Sequence, residues 1–119
     1  MAKHNFKEII AWQKARKLAV PVYKIVSGFP SGEKYALTSQ IKRAVVSISS
    51  NIAEGSGRNT NNDFAHFLDI ALGSAFELES ELLVAIDLGF TDEQASQHLF
   101  LELDEIQKTI VGFQNYLRK

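Results

Sequence analysis

Cysteine is absent from the 119 residues. That excludes a disulfide scaffold, thiolate metal sites and cysteine-based catalysis. Two prolines and seven glycines are all that punctuate the chain. No apolar run approaches the roughly 20 residues of a membrane span, and the N-terminal segment lacks the apolar stretch of a signal peptide. The expectation is a soluble, cytoplasmic protein with no membrane partner. Strand-like alternation, internal repeats and low-complexity tracts are missing too. What is present suffices for one domain over 1–119, because 45% hydrophobic and 23% charged residues can fill a core and exclude wholesale disorder.

The few breakers fall together. The stretch 27–32, the pair Gly55 and Gly57, and Gly89 divide the chain into four long segments. Asn5 with Glu8, Thr60 with Asp63, and Thr91 with Gln94 offer capping boxes for three of them. Ser31 offers a cap for the second segment, with Glu33 in its first turn. Apolar residues recur at helical spacing. The sets are Ile9, Trp12, Ala15, Ala19, Val22 and Val26; Leu37, Ile41, Ala44, Val45, Ile48 and Ile52; Phe64, Phe67, Leu68, Ala71, Ala75, Leu78, Leu82 and Ala85; and Leu99, Leu103, Ile106, Ile110, Phe113 and Leu117. Pro21 marks a kink or break in the first. Four helices of about 20–28 residues with short connections predict an all-α, antiparallel up-down-up-down four-helix bundle.

The formal net charge of −1 conceals an asymmetry. Residues 1–58 hold ten Lys/Arg against three acids, net +7, and residues 59–119 hold three against eleven, net −8. Such a split points to a polyanionic partner or to self-complementary assembly. On an ideal helix Lys3, Lys7, Lys14, Lys17 and Lys24 share one side, without interleaved acids. Two readings compete. One is a ridge that follows phosphates of RNA or DNA in a salt-sensitive, sequence-blind way. The other is an ordinary solvated face, the commoner fate of such an arc, which the lysine stem suits.

The second helix carries no charge from 44 to 53. Gln40, Arg43, Ser47, Asn51 and Glu54, with Ser50, form a polar stripe beside its apolar one. Such a stripe is ordinarily hydrogen-bonded structure. The sharper alternative is a subunit interface through Val46, Ser49, Ser50 and Ala53. Gly73, opposite the core stripe of the third helix, fits that alternative. A mid-helix glycine costs about 1 kcal/mol relative to alanine, and an approaching helix would explain it, with Phe76 at the edge of the notch.

Catalytic readings are poor. The histidines His4, His66 and His98 are scattered. Asp63/His66/Asp69 and His98/Glu102 are the only sets that could touch a metal, and a di-iron bundle needs paired Glu-x-x-His motifs. No phosphate-binding loop occurs, and Gly55-x-Gly57 reads as a helix stop. The expectation is no enzyme, no metal and no cofactor.

The combination Gln40, Ile41, Lys42, Arg43, Ala44, Ser47, Ile48, Asn51, Ile52, Ala53, Glu54 and Gly55 resembles the signature of a bacterial family, the 23S rRNA intervening-sequence proteins. The similarity extends to Trp12 and Ala15 and to Phe67, Leu68, Ile70, Ala71, Gly73, Ser74, Glu77 and Leu78, while the fourth helix matches in pattern only. The resemblance implies a homopentameric four-helix bundle related to accessory proteins of diversity-generating retroelements, whose basic surfaces are implicated in binding nucleic acid and a protein partner. It implies no catalytic residue. The leading expectation is a non-catalytic, RNA-binding oligomer, and the alternative is a structural or protein-interaction module.

Overall fold

Helical spacing decides which side of each segment is buried, and the computed structural model, described for residues 4–119, bears most of it out. The helices are α1 (Ile10–Val26), α2 (Leu37–Ser56), α3 (Asn61–Asp87) and α4 (Glu93–Leu117). In α4 Leu99, Leu103, Ile106, Ile110 and Leu117 are buried, with Phe113 half-buried against them. The expected residues of α2 and α3 are buried likewise, except that Leu37 and Phe67 are half-exposed.

The stripe of α1 is displaced from the expected one. Ala11, Ala15, Leu18, Val22 and Val26 form its buried side, while Ile9, Trp12 and Ala19 lie at its edge. Alanines at 11 and 15 let α1 lie close to its neighbours, and the indole is too large for that seam. α1 is also shorter than expected, at 17 residues. Asn5 caps only a 3-10 turn, Phe6–Glu8, accepting from the Lys7 N–H, and Ile9 is extended, so α1 starts afresh at Ile10 without a side-chain cap. The helix continues through Pro21, where the missing N–H leaves the Lys17 carbonyl without its i+4 donor.

The other caps divide. Thr60 accepts from the Asp63 N–H as expected (3.1 Å). At α4 the cap is Asp92, one residue beyond Thr91, accepting from the Ala95 N–H at 2.7 Å, a place where its charge also suits the helix dipole. Ser31 opens a separate 3-10 turn, Ser31–Glu33, and α2 begins uncapped at Leu37. α3 ends in a Schellman turn: Gly89 takes φ 77°, its N–H reaches the Ile86 carbonyl, and the Phe90 N–H reaches Ala85. Phe90 then packs on Phe29.

Among the described residues each helix contacts two neighbours, in the cyclic order α1, α2, α3, α4, and none contacts its diagonal counterpart. Register runs in opposite senses across every contact. Between α2 and α3, Ser47 meets Ser74 and Gly55 lies against Phe64 and Phe67. Between α3 and α4, Glu79 meets Gln107 and Asp69 meets Gln114. Lys14 meets Glu105 and His4 packs on Phe113; Tyr23 lies under Lys42 and the His4 N–H reaches Ser56. Consecutive helices are therefore antiparallel, with the basic pair α1/α2 on one side and the acidic pair α3/α4 on the other.

Candidate nucleic-acid interface

The break at Ile9 turns the segment 5–8 back along the side of α1. Gln13 fixes it there, its Nε2 donating to the Lys7 carbonyl at 2.8 Å. Phe6 consequently meets Trp12 edge to face, with ring centroids 5.0 Å apart at 72°. Arg16, one turn along, sets its guanidinium over the indole at 5.4 Å, and the Lys7 ammonium lies 6.0 Å from the Phe6 ring. Phe6, Lys7, Trp12, Gln13, Arg16, Lys17 and Val20 line one open groove of about 1000 Å³. Its exposed cations form the rim, the half-buried Phe6 and Trp12 the floor with Val20 exposed at one end, and none of these lining residues is acidic.

Four of the five lysines on the expected arc fall within the described residues; Lys3 lies outside them. Lys7 belongs to the 3-10 turn rather than to α1, which brings it to the groove by a route the helical projection did not contain. Lys17 and Lys24 are exposed on α1. Lys14 is paired with Glu105 of α4, a cross-helix carboxylate invisible to a projection of α1 alone. Four groove residues were missed, Phe6, Gln13, Arg16 and Val20, and Trp12 was assigned to the core. Phe6 and Arg16 each sit next to a lysine in sequence, but only the break at Ile9 places them together.

A second shallow groove adjoins at Val20, lined by Ala19, Tyr23, Lys24, Ser27 and Val46. Val46 (44% exposed) thus flanks α1, while Ser49 and Ala53 are half-buried and Ser50 is exposed. The Ser49 hydroxyl donates to the Val46 carbonyl. On α3, Gly73 is open to solvent, with nothing within 4 Å of where a Cβ would stand, and Phe76 is 54% exposed.

The polar stripe of α2 separates into two groups. Ser47 and Asn51 are structural: the Ser47 and Ser74 hydroxyls lie 2.9 Å apart, and Asn51 Nδ2 donates to the Ser47 carbonyl and hydroxyl. Gln40, Arg43 and Glu54 are exposed, and Arg43 reaches only Ser39, at 3.4 Å. Arg43 also bears on Glu81 of α3. Burial pushes the Glu81 carboxyl up to about 7, Glu77 adds to the rise, and Arg43 opposes it. Glu81 Oε1 is shut off from solvent without a hydrogen-bond partner. The Gly55-x-Gly57 stretch ends α2 as expected, with Gly57 as the C-cap after Ser56, but Gly55 itself is still helical; its place is set by Phe64 and Phe67, which leave no room for a Cβ.

Of the side chains weighed as metal ligands, Asp69 receives Gln114 and Arg118 and His66 packs on Phe67, while Asp63 stands in the first turn of α3. His98 Nε2 lies 3.8 Å from Glu102. Among the described residues no three His, Asp or Glu side chains converge, and no helix is long and apolar enough to cross a membrane.

Comparison with known proteins adds three findings. A family model described as 23S rRNA-intervening sequence protein matches residues 7–112. The chain is similar to a solved crystal structure of a protein with unknown function from the S23 ribosomal protein family of Bacteroides thetaiotaomicron VPI-5482. The TM-score is 0.78 at 25% identity, over 88% of this chain and 98% of that one. No curated protein matches.

Proposed function

The chain belongs to the 23S rRNA-intervening sequence protein family, and from that membership and the groove on α1 we propose that it is a non-catalytic, cytoplasmic RNA-binding accessory factor that works as a homo-oligomer. The observation that carries this is the groove rim, where Lys7, Arg16 and Lys17 gather without a carboxylate among the lining residues. Lysines spread over a solvated face usually have acids among them; here α1 has none from Ile10 to Val26. Each rim cation that neutralises a phosphate releases a counterion, so binding weakens steeply with salt. Fluorescence anisotropy of a labelled RNA tests it. Retention at about 50 mM salt, loss near 200 mM, and abolition by Lys7→Glu with Lys17→Glu are expected. Salt-indifferent binding, or none, overturns it.

The oligomer we propose is a head-to-tail ring, five being the number the family resemblance implies. Its two surfaces are Val46, Ser49, Ser50 and Ala53 on α2, and Gly73 with Phe76 on α3. One belongs to the basic α1/α2 half and the other to the acidic α3/α4 half, so that pairing them is heterologous. The opposed charges of the α1/α2 and α3/α4 halves favour that orientation over two-fold pairing. Light scattering checks it, and a monomer or two-fold dimer at micromolar concentration overturns it.

A further inference from the structure

We propose that the RNA taken by the α1 groove is single-stranded, with one unpaired base laid against the indole of Trp12. This rests on the RNA-binding reading above and narrows it. The rim cations alone would suit a duplex as well as a single strand, because both present phosphates. The floor distinguishes them. Phe6, Trp12 and Val20 offer apolar and aromatic surface that the stacked bases of a duplex cannot reach, whereas an unstacked base presents a π-face to it.

The indole is placed for this. It is half-buried at the edge of the α1 seam, supported from one side by the core and bordered by the edge of Phe6. Towards the groove it is met by Arg16, an exposed side chain whose guanidinium lies 5.4 Å from the ring. A weakly hydrated planar cation of this kind stacks on a base as readily as on an indole, or turns to a phosphate. A base entering the groove therefore leaves no buried charge unpaired. Lys7 and Lys17 on the rim are placed to follow the backbone on either side. Gln13 holds the 3-10 turn in register, so the groove exists before the strand arrives. The apolar end beyond Val20, at Tyr23 and Val46, is left to the subunit interface.

Trp12 is the sole tryptophan of the chain, so its emission reports on this site alone. The full-length protein is titrated with oligouridylate of about ten nucleotides, and separately with an RNA duplex of equal phosphate number, at one salt concentration. Indole emission and anisotropy of labelled RNA are read together. The expected result is quenching by oligouridylate and not by duplex, with oligouridylate bound more tightly per phosphate. Trp12→Leu is expected to weaken oligouridylate binding about 5- to 150-fold, the range for loss of one base stack, and to leave duplex affinity unchanged; Trp12→Phe keeps most of the affinity. Should Trp12→Leu fail to fold, Phe6→Leu beside the indole and the emission of the parent protein decide. Salt-dependent binding of both RNAs without quenching, or equal affinity for the duplex, overturns single-strand stacking and leaves the RNA-binding reading standing. Failure to bind either RNA overturns both.

Discussion

Gly55 of α2 stands so close to Phe67 of α3 that a Cβ there would lie 2.7 Å from the Phe67 Cβ and 2.8 Å from Phe64 Cδ1. Neither atom is the free end of a flexible chain, so the helices would have to part. Gly55→Ala gains up to about 1 kcal/mol in helix propensity, but overpacking of this kind costs about 1–3 kcal/mol. A net loss of stability, measured by urea denaturation, is expected.

Truncation of the α4 seam tests the core directly. Leu103 and Ile106 are fully buried, and Leu103→Ala or Ile106→Ala is expected to cost about 2–5 kcal/mol each. Thermal unfolding within a degree or two of the parent would place both outside the core.

The fold could be read from spacing because long helices average over local errors. A single misassigned position does not move the eight-residue apolar stripe of α3 or the six-residue stripe of α4. In α1 the same reasoning held at Ala15, Val22 and Val26 but took Ile9, Trp12 and Ala19, which lie at the edge, and passed over Ala11 and Leu18, which are buried. The site was half visible for a related reason. Lys17 and Lys24 follow from helical projection, but Lys7 and Phe6 arrive through a backbone break at Ile9, and Lys14 is claimed by a carboxylate 91 residues away. Local sequence carries no record of either. The Gly55 contact was hidden likewise, because a glycine near a helix end looks like a terminator until the facing phenylalanines are placed.

Glu81 makes stability depend on pH. Its folded pKa is raised to about 7 from an ordinary value of 4.5. The folded state therefore holds the proton more tightly than the unfolded chain between those values. The associated stabilisation is full below about 4.5 and is lost as pH rises through about 7. Glu81→Gln removes this slope. Relative to the parent it is expected to gain on the order of 1 kcal/mol at pH 8, after allowance for solvent screening of a part-exposed group, and nothing at pH 4. Denaturation midpoints across that range measure it.

Gly73 separates packing within a subunit from packing between subunits. Within one bundle nothing opposes a side chain there, so Gly73→Ala is expected to keep or raise helix stability by up to about 1 kcal/mol. Gly73→Arg puts a bulky charge into the proposed ring contact. Light scattering is expected to show a smaller species for the arginine variant, with helicity retained in circular dichroism. An unchanged mass excludes the notch from the interface.

Lys14 and Lys17 provide the sharpest contrast on the RNA surface. They sit three residues apart on α1, yet Lys14 is paired with Glu105 while Lys17 stands free on the groove rim. A lysine that contacts phosphate contributes about 0.7 to the slope of log affinity against log salt for a single strand. Lys17→Gln is therefore expected to lower that slope by about 0.7 and to weaken binding at low salt. Lys14→Gln is expected to leave the slope nearly unchanged, because its charge is already balanced across the helix pair. The pair itself is exposed enough to contribute only about 0–1 kcal/mol to stability, so both variants remain folded and comparable. Equal losses at the two positions would mean that RNA reads the charge of the whole α1 face. A loss confined to Lys17 places the phosphate path along the groove.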